Sequence, residues 1–360
     1  MIILIVINSI FGVIMLSKIL HKIKQSKELT NHEIFSLFSA KQESETQKIF
    51  QLAYEIREEY IQCITLTSTV HITNKCSVTP KCKYCGFAAG TSHAGYYYPF
   101  YKSDEEILRA ARVIEDSGIS RVSCSGAHGY QGRHAVQAAK IVKENTHLEL
   151  LVNVGSDISD ETIPHLAAYG TDTICCNLET MNETLFSYIK PGERLYQRIK
   201  VCNMISNSEV ELSSGLLIGI GESYEDRLYH LKFLKSFKGL AEIPIMGFHP
   251  YKGTPMEHHP PCPLRDQLLT IAITRILFPD VRITVPTPTI GPENIRYSLL
   301  AGADNLATVI PESYPHDIKG VGSPRCGTLS SVLSVLDSMG LSYNMKTPAL
   351  SPRKKISVAG

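Results

Sequence analysis

The sequence predicts an α/β protein built as a (β/α)8 TIM-type barrel with an N-terminal helical extension. Three observations carry that expectation. From about residue 60 to 340, eight short runs rich in β-branched residues alternate with helical patterns. The runs lack clean polar alternation, which suits parallel strands covered by helices. The dinucleotide-like stretch "GLLIGIGE" (215–222) lacks the last glycine of its fingerprint, so an open doubly wound sheet is the weaker alternative.

The elements follow in order. Residues 1–25 form a hydrophobic segment, "MIILIVINSIFGVIMLSKIL", followed by "HKIKQSK". Counted to Leu16, the run is at the short end of what spans a bilayer. It has no basic n-region and no small-residue cleavage site, so a signal peptide fits poorly. Two readings stand: an extra helix docked on the domain (or an overlong start), or a membrane anchor through residues 1–20 with "HKIKQSK" on the cytoplasmic side. Residues 26–62 read as the helical extension, 63–340 as the barrel and 341–360 as a C-terminal tail.

Within the barrel, "CITLTSTVHIT" (63–73) is the first strand. The helix at 103–118 has Ser103 as N-cap, Glu106 to close a capping box and Gly118 as its stop. Strands at 120–126, 148–155 and 172–179 alternate with helices at 134–146 and 159–170. The next helical stretch breaks at Pro191–Gly192. Strands at 210–220, 242–251, 281–289 and 305–311 then alternate with helices at 223–237, 264–278, 294–303 and 328–340.

Composition narrows the function. Hydrophobic residues make up 43% and charged residues 20%, enough to build a sizeable core. The net charge is +1, so bulk charge gives a nucleic-acid partner no support. The ten cysteines lie mostly singly in apolar runs of a long chain, which reads as reduced thiols in a cytoplasm.

The stretch "NKCSVTPKCKYCGF" (74–87) holds Cys76, Cys82 and Cys85 just after the first strand, at the barrel face where active sites sit. A zinc site needs a fourth ligand; His71 is close to the strand body, and there is no second C-x-x-C pair. Lys75, Lys81 and Lys83 make the loop polar, which argues against three structural thiols. The remaining reading is a [4Fe–4S] cube with one iron left open for the amino and carboxylate groups of S-adenosylmethionine (SAM).

The cysteine triplet with Tyr84 before its last member resembles the radical SAM superfamily, with C-x5-C-x2-C in place of the usual C-x3-C-x2-C. "CKYCGF" (82–87), "NLET" (177–180), "SSGLLIGIGES" (213–223), "GTPM" (253–256), "AITRILFPDVRI" (272–283) and "LLAGAD" (299–304) resemble its biotin-synthase-like branch, in the branch's order. The resemblance implies that Cys76, Cys82 and Cys85 hold the cluster. It implies that Tyr84 lies near the adenine and that Ser125 and Gly126 meet the methionine amino group. Asn177 and Glu179 would bind the ribose, and Arg198 would contact SAM. Capping of the next helix is the alternative for Asn177 and Glu179, and Glu222 either braces its loop or touches ligand.

The resemblance also implies an external one-electron donor such as ferredoxin or flavodoxin. Biotin synthase carries a second, [2Fe–2S] cluster; at three of its expected ligand places this chain has Leu151, Ser213 and "VPTPT" (285–289), with Cys124 near a fourth. The C-x5-C-x2-C spacing resembles that of the methanogen family associated with the iron-guanylylpyridinol cofactor of [Fe]-hydrogenase, which implies a pyridinol precursor as substrate. Other expectations concern bystanders: Cys175 and Cys176 point opposite ways and both pack the barrel, and "HPYKGTPMEHHPPC" (249–262) forms a lid or substrate loop. His258, His259 and Cys262 mimic metal ligands on that loop, while His93, Tyr97 and Tyr98 shape the mouth. The alternatives are another enzyme of the biotin-synthase-like branch, of the biotin synthase, methylornithine synthase or [FeFe]-hydrogenase maturase type, and two rival classes: a zinc-dependent or structural barrel, and a scaffold that binds a cluster without cleaving SAM.

Overall fold

A computed structural model describes residues 16–25, 27–88, 99–126, 128–315 and 325–346. Its strands in chain order are β1 (Thr65–His71), β2 (Arg121–Ser125), β3 (Glu149–Asn153), β4 (Thr173–Cys175), β5 (Glu211–Ser213), β6 (Leu216–Ile218), β7 (Leu240–Gly247), β8 (Arg282–Pro286) and β9 (Asn305–Ala307). They run side by side as β5-β4-β3-β2-β1-β9-β8-β7-β6, and β5 also pairs with β7, so the sheet closes. Every one of these pairings is parallel. The result is the expected eight-stave barrel, with β5 and β6 sharing one stave.

The sequence reads residues 210–220 as one strand, and the structure corrects this. A Cβ at Gly215 would lie 1.9 Å from the Pro244 carbonyl oxygen, so only glycine lets the two backbones approach there. The register against β7 shifts between Leu212 and Ser213. β6 then realigns with Leu216 opposite Ile245 and bridges to Glu179. The strand expected at 281–289 likewise ends at Pro286, where a short helix, Thr287–Ile290, begins.

Alternate strand residues face opposite sides. Leu66, Val70, Val122, Val152, Ile174, Leu212, Ile243 and Ile283 are fully buried between sheet and helices. Ser103 and Glu106 form the expected capping box on the helix Asp104–Asp116. The helix Leu264–Leu277 is buried nearly all round, with every residue from Gln267 to Ile276 inside. The extension explains this, because the helix Glu43–Tyr60 packs over it. The helix at 16–24 docks on the extension through Leu16 and Ile19, with Lys22 2.8 Å from Glu33. Among the described residues no helix is long and apolar enough to cross a membrane. Residues 1–15, His93, Tyr97 and Tyr98 lie outside the described residues. At the opposite end, Ser342 accepts from the Ile64 amide at 2.8 Å and Lys346 donates to Gly118 at 2.8 Å, so the start of the tail runs beneath β1 and β2.

The floor of the barrel is polar rather than aliphatic. Arg121, fully buried, donates to Glu149 at 2.6 Å and to Glu242 at 2.7 Å. Thr284 donates to Glu242 at 2.6 Å, Asn305 to Thr284 at 2.8 Å and Thr67 to Asn305 at 2.9 Å. This network plugs the lower barrel. Above it opens a cavity of about 320 Å³, lined by Thr69, His71, Cys85, Ser125, Leu151, Asn153, Cys175, Asn177, Ser213 and Met246 among others.

Candidate active site

The cysteine loop leaves the upper end of β1 and is fixed on three sides. Against β2's loop, Ser77 donates from its amide to His128 at 3.0 Å and from its hydroxyl to Gly129 at 2.9 Å. The Tyr130 hydroxyl donates to the Lys75 carbonyl at 2.7 Å, and Lys81 reaches the Cys76 carbonyl. On the second side, Lys83 donates its amide to Ile189 at 2.9 Å. A Cβ on Gly192 would stand 2.3 Å from the Pro80 carbonyl oxygen, so the Pro191–Gly192 turn lies flush against the loop. On the third, the Met256 amide donates to the Lys83 carbonyl at 3.2 Å, which seats the 249–262 segment on the cysteine loop.

Cys76, Cys82 and Cys85 form no disulfide and are all half-buried. Burial pushes the Cys82 thiol up, and buried Lys190 pulls it back toward the thiolate that a metal needs. Among the described residues no group of three or more His, Cys, Asp and Glu side chains is disposed around a single ion. Ligands of a cube each serve a different iron and need not converge on one point.

A buried array of charges stands behind the loop. Tyr84 donates to Glu179 at 2.9 Å and accepts from Lys190 at 3.2 Å. Lys190 lies 3.6 Å from Glu179 and 3.4 Å from Glu193. Arg198 donates to Glu193 at 2.8 Å and to the Asn177 carbonyl at 2.6 Å. The Asn177 side chain accepts from the Gly215 amide at 3.0 Å. Burial, the largest influence on both, would lower the Arg198 and Lys190 cations, but the anionic neighbours together, Glu193 and Glu179 among them, more than offset it, and both stay charged. Burial, with Glu179 adding to it, raises the Tyr84 phenol well above its ordinary value, so it remains a donor. Glu179 takes φ of 64°, a left-handed conformation uncommon for a residue with a side chain. Its amide donates to Gly215 at 3.1 Å and its carbonyl accepts from Leu217 at 2.9 Å, so β5–β6 holds it in that turn.

The residues expected around SAM therefore fall in two groups. Tyr84, Asn177, Glu179 and Arg198 share one hydrogen-bonded array. Ser125 ends β2, two strands along the barrel wall from β4, and its hydroxyl is 2.7 Å from His71 Nδ1. Gly126 borders a small crevice with Asn153 and His128. Burial, helped by Lys102, lowers His71 to about 4, so its ring is neutral at pH 7. Arg198 is 1% exposed and spends its donors on protein, which makes it a brace for Asn177 in this structure. Glu222 accepts from Gly219 at 2.9 Å, from Ile220 at 2.9 Å and from Arg227 at 2.8 Å, so it braces its loop.

On the 249–262 segment, the His259 ring packs edge-on to Phe248 and its Nδ1 meets the Pro260 carbonyl, while His258 faces solvent. Sequence reasoning missed Lys190 and Glu193. The available signal was their place on either side of the Pro191–Gly192 break in "IKPGER". Cys175 and Cys176 do point opposite ways, as the sequence suggests, but Cys175 faces the cavity rather than only packing the wall.

Residues 70–234, from the end of β1 to the helix Tyr224–Leu234, match the radical SAM superfamily. An uncharacterized protein of Methanocaldococcus jannaschii is 56% identical over 309 residues, covering 86% of this chain and 82% of the relative. The chain belongs to the radical SAM superfamily. A biotin synthase of Clostridium acetobutylicum is 28% identical over 268 residues, covering 72% of this chain and 79% of the relative. Among solved structures, methylornithine synthase has the same fold, with a TM-score of 0.79 at 19% identity over 90% of this chain and 97% of that one. As a radical SAM enzyme with biotin-synthase-like homologues, the protein works with a [4Fe–4S] cluster and SAM.

Proposed function

We propose that Cys76, Cys82 and Cys85 hold the [4Fe–4S] cluster and that the protein acts in forming the pyridinol part of the iron-guanylylpyridinol cofactor of [Fe]-hydrogenase, as the HmdB/HcgA proteins are held to do. The donor set fits a cube: three reduced thiols on one anchored loop, a buried cation beside Cys82, and a polar wall reaching toward the lumen. When bound, the cluster supplies one electron to the SAM sulfonium, giving methionine and a 5′-deoxyadenosyl radical. In this reading Glu179 and Asn177 orient the ribose, Tyr84 positions the adenine, and Arg198 holds Asn177 in register. Ser125 and Gly126 flank the methionine end. The closed barrel and the 249–262 segment exclude water from the radical's path.

The observation that carries the finer reading is the pairing of C-x5-C-x2-C with a lumen that has Leu151 and Ser213 at places where a sulfur-donor cluster needs thiols. That favours ring construction over sulfur insertion. Anaerobically reconstituted protein should hold about four irons, the content of one cube, release 5′-deoxyadenosine and leave dethiobiotin unchanged. Cys82→Ala should lose the cluster. Deleting the gene should abolish the pyridinol cofactor, restored by the wild-type chain but not by Cys82→Ala. Biotin formation would instead assign the protein to sulfur insertion.

A further inference from the structure

Three thiols line the lumen: Cys85, Cys175 and Cys326. Cys85 belongs to the cluster loop, and Cys326 lies at the mouth beside the undescribed residues 316–324. Cys175 sits on the rigid wall of β4. It is 4% exposed, and its side chain faces the cavity one step below Asn177. Two strand residues span about 6.5 Å, so its sulfur lies deeper in the barrel than the proposed ribose contact. A substrate filling the lumen is then flanked by SAM above and by this thiol on the inner wall.

The surroundings of Cys175 show a site with an unmet polar need. Its register partners are Asn153 on β3 and Ser213 on β5, and both line the same cavity. The Ser213 hydroxyl is fully buried and has no nitrogen or oxygen partner. Its polar neighbour is the Cys175 thiol itself. A buried hydroxyl without an oxygen or nitrogen partner costs stability unless a ligand meets it. Packing alone does not explain this choice, since an alanine or valine would fill the wall without that cost.

We infer that Cys175 is a catalytic hydrogen-atom donor to the carbon radical of the substrate, with Ser213 holding the thiol and the substrate's polar edge. The inference rests on the radical SAM activity. In the step, the Cys175 S–H bond breaks homolytically and a C–H bond forms on the substrate. The carbon radical is reduced by one hydrogen atom and a thiyl radical remains. An electron from the external one-electron donor and a proton from solvent restore the thiol. The S–H bond is weaker than the C–H bond it forms, so the transfer runs downhill. Burial pushes the thiol far up its titration range, so it is protonated and able to donate at neutral pH. Delivery comes from the wall below the SAM site, which sets the face on which the product receives hydrogen.

The test uses the full chain with its cluster, SAM and dithionite, in D2O, without added thiols and without substrate. Cys175 then carries S–D, and the radical formed over an empty lumen takes its hydrogen from the nearest weak bond. Mass spectrometry of 5′-deoxyadenosine should show one added deuterium for wild type and for Cys326→Ser. Cys175→Ser preserves shape and polarity but has an O–H bond too strong to donate. It should give unlabelled 5′-deoxyadenosine, with iron content and unfolding midpoint unchanged. Label retained in Cys175→Ser, or absent from wild type, would overturn the inference while leaving SAM cleavage intact. Absence of 5′-deoxyadenosine from wild type would overturn both.

Discussion

Glu179 concentrates several constraints in one residue. It holds a left-handed backbone, bridges to β6, and takes the Tyr84 hydroxyl with Lys190 nearby. Replacing it by alanine leaves Tyr84 without its acceptor and Lys190 with one carboxylate fewer. Removing one partner of such a buried contact costs about 1–3 kcal/mol, roughly ten- to a hundredfold in affinity. Glu179→Ala should therefore weaken SAM binding by that order and keep full iron content, since the residue is no ligand. Unchanged affinity in anaerobic equilibrium binding would reduce the motif to a structural turn.

His230 offers a pH test. Its ring is 1% exposed, Nε2 has no partner, and burial alone lowers its pKa to about 3. The folded state keeps the ring neutral while the unfolded chain takes up a proton near pH 6.5. Stability from this residue is therefore present above pH 6.5 and is lost as pH falls from there toward 3. Between pH 7 and 5 the loss is about 2 kcal/mol. Urea unfolding of His230→Leu should show an acid-side decline smaller by about that amount. "NLET" and the cysteines were legible as residues because their chemistry is local to a motif. The Lys190–Glu193 pair was not, because its meaning comes from Tyr84, 106 residues from Lys190.

At the scale of elements, the cysteine loop has little regular structure of its own and depends on its neighbours. Gly129 and Gly192 let two other loops press against it, and each lacks room for a methyl group. For Gly129 this adds to φ of 102°, which favours glycine on its own. Gly192→Ala would drive a methyl into the Pro80 carbonyl. Relief costs about 1–3 kcal/mol and must come from moving one loop. The barrel is far more tightly packed, so the cysteine loop should yield. Iron content after reconstitution should drop while the far-UV spectrum stays native. A full cube in Gly192→Ala would show that the turn does not set the loop's position.

The sequence marked Pro191–Gly192 as a helix break, which it is, but nothing local reveals which loop it touches. The same limit explains the split of 210–220 into two strands. The apolar run "LLIGI" fits one continuous strand, and only the Pro244 backbone lying against Gly215 dictates two.

At the scale of the whole molecule, alternation of runs was enough to read the barrel, because closure needs only eight staves with helices between them. The contents of the barrel were not readable. Arg121 meets Glu149 across 28 residues and Glu242 across 121. No periodicity links them, and an arginine in a strand reads as an edge or surface position. Barrel geometry turns it inward, where it closes the floor under the cavity.

That network supports a stability test. Breaking a buried ion pair from one side costs about 3–5 kcal/mol, because it strands the other charge. In Arg121→Met, Glu242 keeps Thr284 at 2.6 Å but has only Arg282, 3.6 Å away and partly exposed, as a cation. The urea midpoint should fall steeply. Neutralising both ends, as Arg121→Met with Glu242→Gln, removes the stranded charge, and the glutamine can still accept from Thr284. The double variant should recover at least half of the loss. Because the floor lies below Cys175 and Asn177, it should also keep its cluster and cleave SAM. A double variant no more stable than Arg121→Met would mean that the ion pair itself, rather than the avoidance of a lone buried charge, holds the floor together.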